Sequence, residues 1–242
     1  MSMKKIILCA DDYAQDEFIT HAILDLLENK KINATGCLVT SPYWPEHANW
    51  LLPYTNKINI GLHFDLTEFP QSINTISKLL IASHLRLLNK QKIINEFNRQ
   101  IDLFEQHCSQ SPHFIDGHQH VHHLPIIRDA LLAVYEKRLR KNNSYIRVSS
   151  NGYFKSLSSF KKFIITASGA MALKKQLERK KIPHNTSFSG IYHFKNAKNY
   201  KKLFPHFLQE VKEGGIVMCH PGLSSFRQHE YHYLRNNTLD FL

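Results

Sequence analysis

The sequence predicts an α/β protein in which about seven parallel strands approach a closed barrel. Strand-sized apolar runs alternate with amphipathic helical segments, a pattern that is typical of a parallel sheet covered by helices. The 242 residues suit one domain of this class. Since no repeat, low-complexity linker or charge block marks a boundary in the sequence, we expect a single domain over residues 1–242.

The predicted strands are short, apolar and rich in β-branched residues. They are Lys5–Ala10, Ala34–Val39, Ile58–His63, His113–Gly117, Tyr145–Ser149, Thr186–Phe188 and Gly215–Cys219. The first of them starts at the end of the basic N-terminal residues MSMKK, and a basic segment followed by an apolar one is also found in signal peptides. Its apolar run is too short, however, and two aspartates stand where small residues should precede a cleavage site. Because no apolar run is long enough to cross a bilayer, the sequence favours a cytoplasmic protein without a transmembrane segment.

The predicted helices lie between these strands. The clearest is Gln15–Asn29, where apolar residues recur every three or four positions. Residues 73–107 are predicted to be mostly helical, and another helix begins near Pro125, since proline is well tolerated in a first turn. Residues 156–181, with a basic face, and Lys198–Lys212 complete the set.

Composition excludes several classes of protein. Hydrophobic residues make up 43% and aromatic residues 11% of the chain, which excludes a disordered protein. The net charge of +11 invites a nucleic-acid partner, but the lysines are scattered in pairs and no recognition motif accompanies them. We therefore expect a solvated basic surface and no specific nucleic acid. The four cysteines form no CxxC pair, which indicates buried, reduced thiols.

Ionisable side chains follow nearly every predicted strand. In parallel α/β folds, functional residues collect where strands end and the following loops begin. The residues at these positions are Asp11, Asp12, His63, Asp116, His118, Arg147 and His220. Since the carboxyl ends of parallel strands share one edge, we expect these side chains to form a single site.

The chemistry of this set indicates a divalent metal ion. A catalytic site commonly offers three protein ligands and an open position for water. Asp11 or Asp12 supplies a carboxylate, His63 supplies one imidazole and the segment His118–His122 supplies another. Two nitrogen ligands favour zinc or another transition metal, with magnesium as the alternative. Such a metal acidifies water and polarises a carbonyl group, while a second carboxylate takes the proton.

Each single signal also has a structural interpretation. Adjacent Asp11 and Asp12 can cap a helix N-terminus. His63 alone is more typical of a hydrogen-bonded loop or core histidine than of a ligand. His220 stands before a proline, where it is either a general acid or a polar strand cap. The joint arrangement at strand ends favours the functional interpretation.

The histidine-rich segment HFIDGHQHVHHLP also allows two interpretations. It is either a solvated loop that binds metals weakly or one wall of the metal site. In an extended chain, His118, His120 and His122 share one face, so that one or two are ligands and the others orient neighbours or contact substrate. His107, His113 and His123 are expected at the surface.

Four motifs together carry a resemblance to a known family. ADD at Ala10–Asp12, GLHFDLT at Gly61–Thr67, DGHQHVH at Asp116–His122 and CHPG at Cys219–Gly222 resemble those of the YdjC family of carbohydrate deacetylases. This family includes chitooligosaccharide deacetylases and a hopanoid-associated branch. The motifs occur in the family's order.

The resemblance implies a distorted, TIM-like (β/α) barrel that removes an N-acetyl group from an amino sugar with a divalent metal. It also implies that Asp12, His63 and His118 are the metal ligands, that Asp11 is the general base and that His220 protonates the leaving amine. The chemistry of the set adds two expectations. Asp116 orients a histidine of the histidine-rich segment, and Arg147 holds Asp11 or substrate or forms a structural ion pair.

The sequence also departs from the family pattern. Tyr13 and Ala14 replace Phe-Gly after ADD, and asparagines follow Arg235 where the family has an acidic residue. The chain stops where the family adds a further element, which leaves a homodimer as one way to complete the edge. Two other functions remain open, namely another metal-dependent amide or phosphoester hydrolase and a non-catalytic basic binder of glycans or nucleic acids.

Overall fold

The computed structural model describes residues 5–69, 75–149 and 169–239. Within these residues seven strands form one parallel sheet in the order β5-β4-β3-β2-β1-β7-β6. The strands are β1 (Ile7–Tyr13), β2 (Ala34–Cys37), β3 (Asn59–Phe64), β4 (Phe114–Gly117), β5 (Tyr145–Ile146), β6 (Phe188–Ser189) and β7 (Ile216–Cys219). The sheet curls into a half-barrel covered by helices, which confirms the predicted fold class.

Helices alternate with these strands. They are α1 (Glu17–Glu28), α2 (Trp44–Leu51), α3 (Ile76–His84), α4 (Lys90–Cys108), α5 (Ile127–Val134), α6 (Ala170–Lys180), α7 (Tyr200–Glu210) and α8 (Arg227–Asn236). Residues 73–107, predicted to be mostly helical, contain the two helices α3 and α4 with a break between them. There Arg86 adopts a positive φ of 56°, and the Asn89 side chain caps α4 by accepting from the backbone N–H of Lys92.

Two helices were not predicted, and one prediction falls partly outside the described residues. The sequence analysis missed α2 and α8. The helix predicted over 156–181 is observed as α6, and its portion before residue 169 lies outside the described residues, as do residues 73 and 74. None of the helices in the described ranges is long and apolar enough to cross a membrane.

The first helix shows how the sequence sets its own boundaries. Asp16 is the N-cap of α1, and its carboxylate accepts a hydrogen bond of 2.7 Å from the backbone N–H of Ile19. One face of the helix, including Ala22 and Leu26, is fully buried against the sheet. Since Asp16 supplies the cap, neither of the two preceding aspartates is needed for it.

Two hydrophobic layers enclose the sheet. The larger lies between the strands and the helices. The smaller fills the concave side with residues from several strands: Cys9, Ala34, Phe114, Phe188, Ile191, Ile216 and Met218. All four cysteines are buried and free, as predicted.

The segment before β6 joins the two edges of the sheet. Ile146 of the edge strand β5 forms a parallel bridge with His184. Beyond this bridge, the buried side chain of Asn185 pairs with the backbone of Val148, as a neighbouring strand would. Its Oδ1 accepts from the Val148 N–H at 2.7 Å, while its Nδ2 donates to the carbonyls of Val148 and Ser187 at 2.9 and 2.8 Å. These bonds close the curled sheet towards a barrel.

Replacing Asn185 with alanine should therefore weaken the fold. It leaves the buried N–H and C=O of Val148 unpaired, and each such group costs about 1–3 kcal/mol. We expect the free energy of unfolding in urea to fall by about 3 kcal/mol. Asn49→Ala is the matched control, because Asn49 is exposed on α2. Equal losses in the two variants would contradict a closing role for Asn185.

Candidate metal centre

A bulge at the end of β1 brings two consecutive carboxylates to one side. Successive side chains of a regular strand point to opposite faces. Here the pairing register with β2 shifts between Ala10 and Tyr13, and Asp12 adopts a positive φ of 71°. Aspartate tolerates this left-handed conformation better than most residues. As a result, Asp11 and Asp12 are both buried and both line the same cavity.

Three of the predicted ligands converge on one point. Asp12 Oδ1 lies 3.4 Å from His63 Nε2 and 3.0 Å from His118 Nδ1. One donor atom from each residue lies within 4.8 Å of the other two. One carboxylate oxygen and two imidazole nitrogens form a donor set that suits zinc and other transition metals.

The charge balance of the site also fits a bound cation. Among the described residues, the three buried carboxylates of Asp11, Asp12 and Asp116 pair with two guanidinium groups, those of Arg147 and Arg227. Buried charges are normally paired or bound to metal. The excess of negative charge at this point is what a divalent ion would compensate.

The two histidines respond to this excess. Burial lowers the pKa of His63, but the carboxylates of Asp116 and Asp11 outweigh burial and raise that pKa to about 10. Burial likewise lowers the pKa of His118, and Asp12 outweighs it and raises that pKa to about 9. Without a metal, His63 and His118 therefore each bind a second proton at neutral pH, and a bound metal ion would replace these protons.

A buried ion-pair network lies beneath the three donors. The guanidinium of Arg147 binds Asp11 through two hydrogen bonds of 2.6 Å, from Nη1 to Oδ1 and from Nη2 to Oδ2. Its Nη2 also contacts Asp116 Oδ2. Arg147 is 0% exposed, and of the predicted alternatives the structure shows its ion pair with Asp11.

The network fixes the orientation of His63 and the charge of Asp11. Asp116 Oδ1 lies 2.7 Å from His63 Nδ1, which leaves Nε2 directed at Asp12. The histidine that Asp116 contacts is therefore His63, and not one of the histidine-rich segment as expected. Burial raises the pKa of Asp11, but Arg147 outweighs it and holds that pKa well below its usual range.

The histidine-rich segment is a tight turn, not an extended strand. Gln119 and His120 both have left-handed backbones, with φ of 53° and 60°. The prediction that alternate histidines share one face is therefore wrong. His118 points to Asp12, and His120 lines the cavity with its Nδ1 3.2 Å from Ser149 Oγ.

His122 and His123 of this segment lie in the interior of the protein. His122 is fully buried, and its Nε2 lies 2.8 Å from the carbonyl oxygen of Arg147. Its ring packs 4.0 Å from that of His123. The prediction that His123 lies at the surface is wrong, because the turn folds its ring inward, where its Nε2 accepts from the N–H of Ser149. Burial lowers the pKa of both His120 and His122 to about 3.

His220 also lines the cavity. Its backbone N–H donates to Glu230 Oε2 at 2.7 Å, and its ring packs edge-on against Phe194. The ring Nδ1 is buried and has no hydrogen-bond partner among the described residues. Burial lowers the pKa of His220 to about 4, so that its imidazole is neutral at pH 7.

A ring of hydrogen bonds includes Asp12 and His118, and its three other members, Arg227, Gln15 and Glu68, were not predicted. Arg227 Nη2 donates to Asp12 Oδ2 at 2.7 Å and to Gln15 Oε1 at 3.0 Å. Gln15 Nε2 in turn donates to Glu68 Oε1 at 2.7 Å, and Glu68 Oε2 lies 3.3 Å from His118 Nε2. The ring closes through His118 Nδ1 and Asp12 Oδ1 at 3.0 Å. This polar ring holds two of the three donors from the solvent side.

The unpredicted residues come from loops and from α8. Arg227 and Glu230 stand three residues apart on that helix, soon after the CHPG motif, and both face the site. The sequence analysis counted Arg235 as the family arginine. Arg235 instead pairs with Asp25 on the outside of α1, with Nε 2.8 Å from Oδ2. The spacing of Arg227 and Glu230 is the signal that could have identified them.

A cavity of about 390 Å³ opens onto the converging side chains. Its floor carries the carboxylates and imidazoles described above, and Arg227 stands at its side. The apolar part of its lining consists of Ile76, Ile191, Tyr192, Phe194 and Met218. A cavity of this size lined by apolar side chains and a few polar groups is typical of a small-molecule site.

Known proteins are similar to parts of this sequence. A carbohydrate deacetylase of Xenopus laevis is 29% identical over 149 residues, which make up 55% of this chain and 48% of the relative. One from Enterococcus faecalis is 27% identical over 135 residues, or 50% of this chain and 51% of the relative. The matches thus span about half the length of these curated relatives.

A solved structure covers more of the chain. It is a protein of Enterococcus faecalis V583 named as a candidate cellobiose-phosphate cleavage protein. It aligns with 98% of this chain and 92% of its own at a TM-score of 0.67 and 20% identity, which shows the common fold. The sequence also matches the family model described as YdjC-like protein over residues 5–241. With nearly its whole length matched, the chain belongs to the YdjC-like protein family.

Proposed function

We propose that this protein is a metal-dependent deacetylase that removes the N-acetyl group from an amino sugar or an N-acetylated oligosaccharide. The convergence of Asp12, His63 and His118 beside the ion-paired Asp11, at the floor of one cavity, carries the proposal. The curated relatives named carbohydrate deacetylase support the substrate class.

Asp12, His63 and His118 would hold the ion, and their two nitrogens favour zinc or another transition metal over magnesium. When bound, the metal supplies a Lewis acid that polarises the acetyl carbonyl and acidifies water. The polar ring fixes Asp12 and His118, and Asp116 fixes His63, so that each donor is held by a second contact.

Asp11 accepts the proton of the attacking water. Its low pKa keeps it ionised at neutral pH, and Arg147 fixes both of its oxygens. Each carboxylate oxygen has a further lone pair, so that the ion pair leaves acceptor capacity for a water in the cavity.

His220 transfers a proton to the leaving amine. Its Nδ1 is buried and free of partners among the described residues, which makes it available to substrate. Because burial lowers its pKa to about 4, the ring is neutral at rest, and it first receives the proton that Asp11 took from the water and then donates that proton to the leaving amine.

The direct test is acetate release. We expect the purified protein, supplied with zinc, to release acetate from N-acetylglucosamine or its short oligomers. Release of phosphate from sugar phosphates without any acetate would favour the alternative metal-dependent phosphoesterase. Absence of acetate from every N-acetylated sugar would contradict the deacetylase.

The metal should depend on the three donors. We expect elemental mass spectrometry to find about one divalent ion per chain, and a His63→Ala/His118→Ala double variant to lose it together with activity. His232→Ala is the control, since His232 is exposed on α8. Metal retained by the double variant would refute this donor set.

The Asp11→Asn variant should separate metal binding from turnover. The amide keeps the size of the carboxylate but does not accept a proton, so that kcat should fall by about 10²–10⁴-fold with metal content unchanged. Asp102→Asn, at an exposed position of α4, should behave as wild type. Full activity of Asp11→Asn would remove Asp11 as the base.

Glu230 should make stability depend on pH, because it is buried between Tyr192 Oη and the His220 N–H. Burial raises the pKa of Glu230 from 4.5 to about 7. A group with a raised folded pKa stabilises the fold below its unfolded pKa, and this stabilisation is lost as the pH rises through about 7. The shift corresponds to at most about 3 kcal/mol.

Urea unfolding in the presence of a chelator at about pH 5 and about pH 8 measures this effect. The Glu230→Gln variant, which carries no ionisable group there, should lose less stability than wild type as the pH rises. Glu28→Gln, at an exposed position of α1, should keep the wild-type dependence. Identical pH dependence in wild type and Glu230→Gln would show that Glu230 is not the responsible group.

A further inference from the structure

One nitrogen of the Arg227 guanidinium has no acceptor. Its Nη2 donates to Asp12 Oδ2 and Gln15 Oε1, whereas its Nη1 is buried without a hydrogen-bond partner among the described residues. The side chain is 13% exposed and lines the cavity. We propose that Arg227 is a substrate-binding specificity residue, whose Nη1 donates to a sugar hydroxyl on a carbon next to the one that carries the acetamido group.

A buried donor without an acceptor is costly and rare. The charged guanidinium makes the cost larger, because its remaining N–H groups lose hydration without replacement. The structure retains such a donor at the edge of the cavity that the substrate would fill. A substrate oxygen that accepts a hydrogen bond from Nη1 would remove the cost of this unpaired donor.

Contacts on the rest of the side chain fix the direction of Nη1. A Cβ at Gly222 would lie 3.0 Å from Arg227 Cβ and 3.1 Å from its Cδ, so that the glycine of CHPG gives room to the aliphatic stem. The guanidinium lies over the Phe226 ring, 5.6 Å from its centroid. With Nη2 held in the polar ring, Nη1 is the part of the fork that remains for a ligand.

The same contacts define the chemistry of the acceptor. Recognition of a carboxylate or phosphate by arginine usually uses two parallel hydrogen bonds from the fork. Here Asp12 occupies one side of the fork and neutralises its charge. A single uncharged oxygen, as in a hydroxyl group, is the acceptor that fits.

The position of Arg227 limits which hydroxyl it reaches. Arg227 binds Asp12, a proposed metal ligand, so that its free nitrogen lies beside the reacting acetyl group. A hydroxyl on a carbon next to the acetamido carbon is the sugar group that lies nearest to the reacting acetyl group. The inference rests on the proposed function for the identity of this sugar.

The test compares two zinc-loaded proteins, the Asp11→Asn variant and the Asp11→Asn/Arg227→Gln double variant, in their binding of three ligands. The ligands are N-acetylglucosamine and the two deoxy analogues that each lack one hydroxyl next to the acetamido carbon, with Kd measured by calorimetry. Arg227→Gln should raise Kd for the parent sugar about tenfold or more, as expected for a hydrogen bond from a charged donor. For one deoxy analogue the two proteins should bind equally.

An equal loss of affinity for all three ligands would overturn the proposal, because it would mean that Arg227 acts only by holding Asp12. No binding of the parent sugar to the protein that retains Arg227 would overturn it as well. Arg235→Gln is the matched control, since Arg235 lies on the same helix and contacts Asp25 at the surface. Acetate release by wild type, measured separately, judges the proposed function independently of this comparison.

Discussion

The enclosed ion pair between Arg147 and Asp11 is the constraint on which the site depends. Arg147 also contacts Asp116, and Asp116 in turn holds His63. Removing the guanidinium would leave two buried carboxylates with one countercharge fewer, a change that costs about 3–5 kcal/mol for a buried pair. It would also release the ring that directs Nε2 at Asp12. Stability and the geometry of the proposed metal centre therefore rest on the same side chain.

Long-range contacts assemble the site, so that it exists only in the complete fold. Asp11 and Arg147 are 136 residues apart, and Asp12 and Arg227 are 215 residues apart. Each arginine approaches the carboxylate pair from a different side, Arg147 from within the barrel and Arg227 from α8. The bulge at Asp12 makes this possible, because it turns one aspartate towards each arginine. Local strain in β1 is offset by ion pairs that only the folded chain provides.

Sequence reasoning predicted the residues at strand ends better than those on loops and helix starts. Asp12, His63 and His118 could be grouped because parallel strands end at one edge of a sheet. The turn at Gln119 and His120 could not be predicted, since a left-handed backbone at residues other than glycine leaves no periodic signal. The helix α8 was missed because Arg227–Asn236 has no apolar stripe, its buried positions being Glu230 and Leu234. The residue that completes the polar ring therefore stood on an element that hydrophobic periodicity does not detect.

In the proposed reaction, the resting charges of the site would set the order in which protons move. The low pKa of Asp11 keeps it ionised, and the lowered pKa of His220 keeps that ring neutral, so that neither group carries a transferable proton at neutral pH. The first proton movement would then be from the attacking water to Asp11. The same proton would pass to His220 and from there to the leaving amine. Such a site would couple protonation of the leaving group to attack, because His220 would become an acid only after Asp11 has acted as the base.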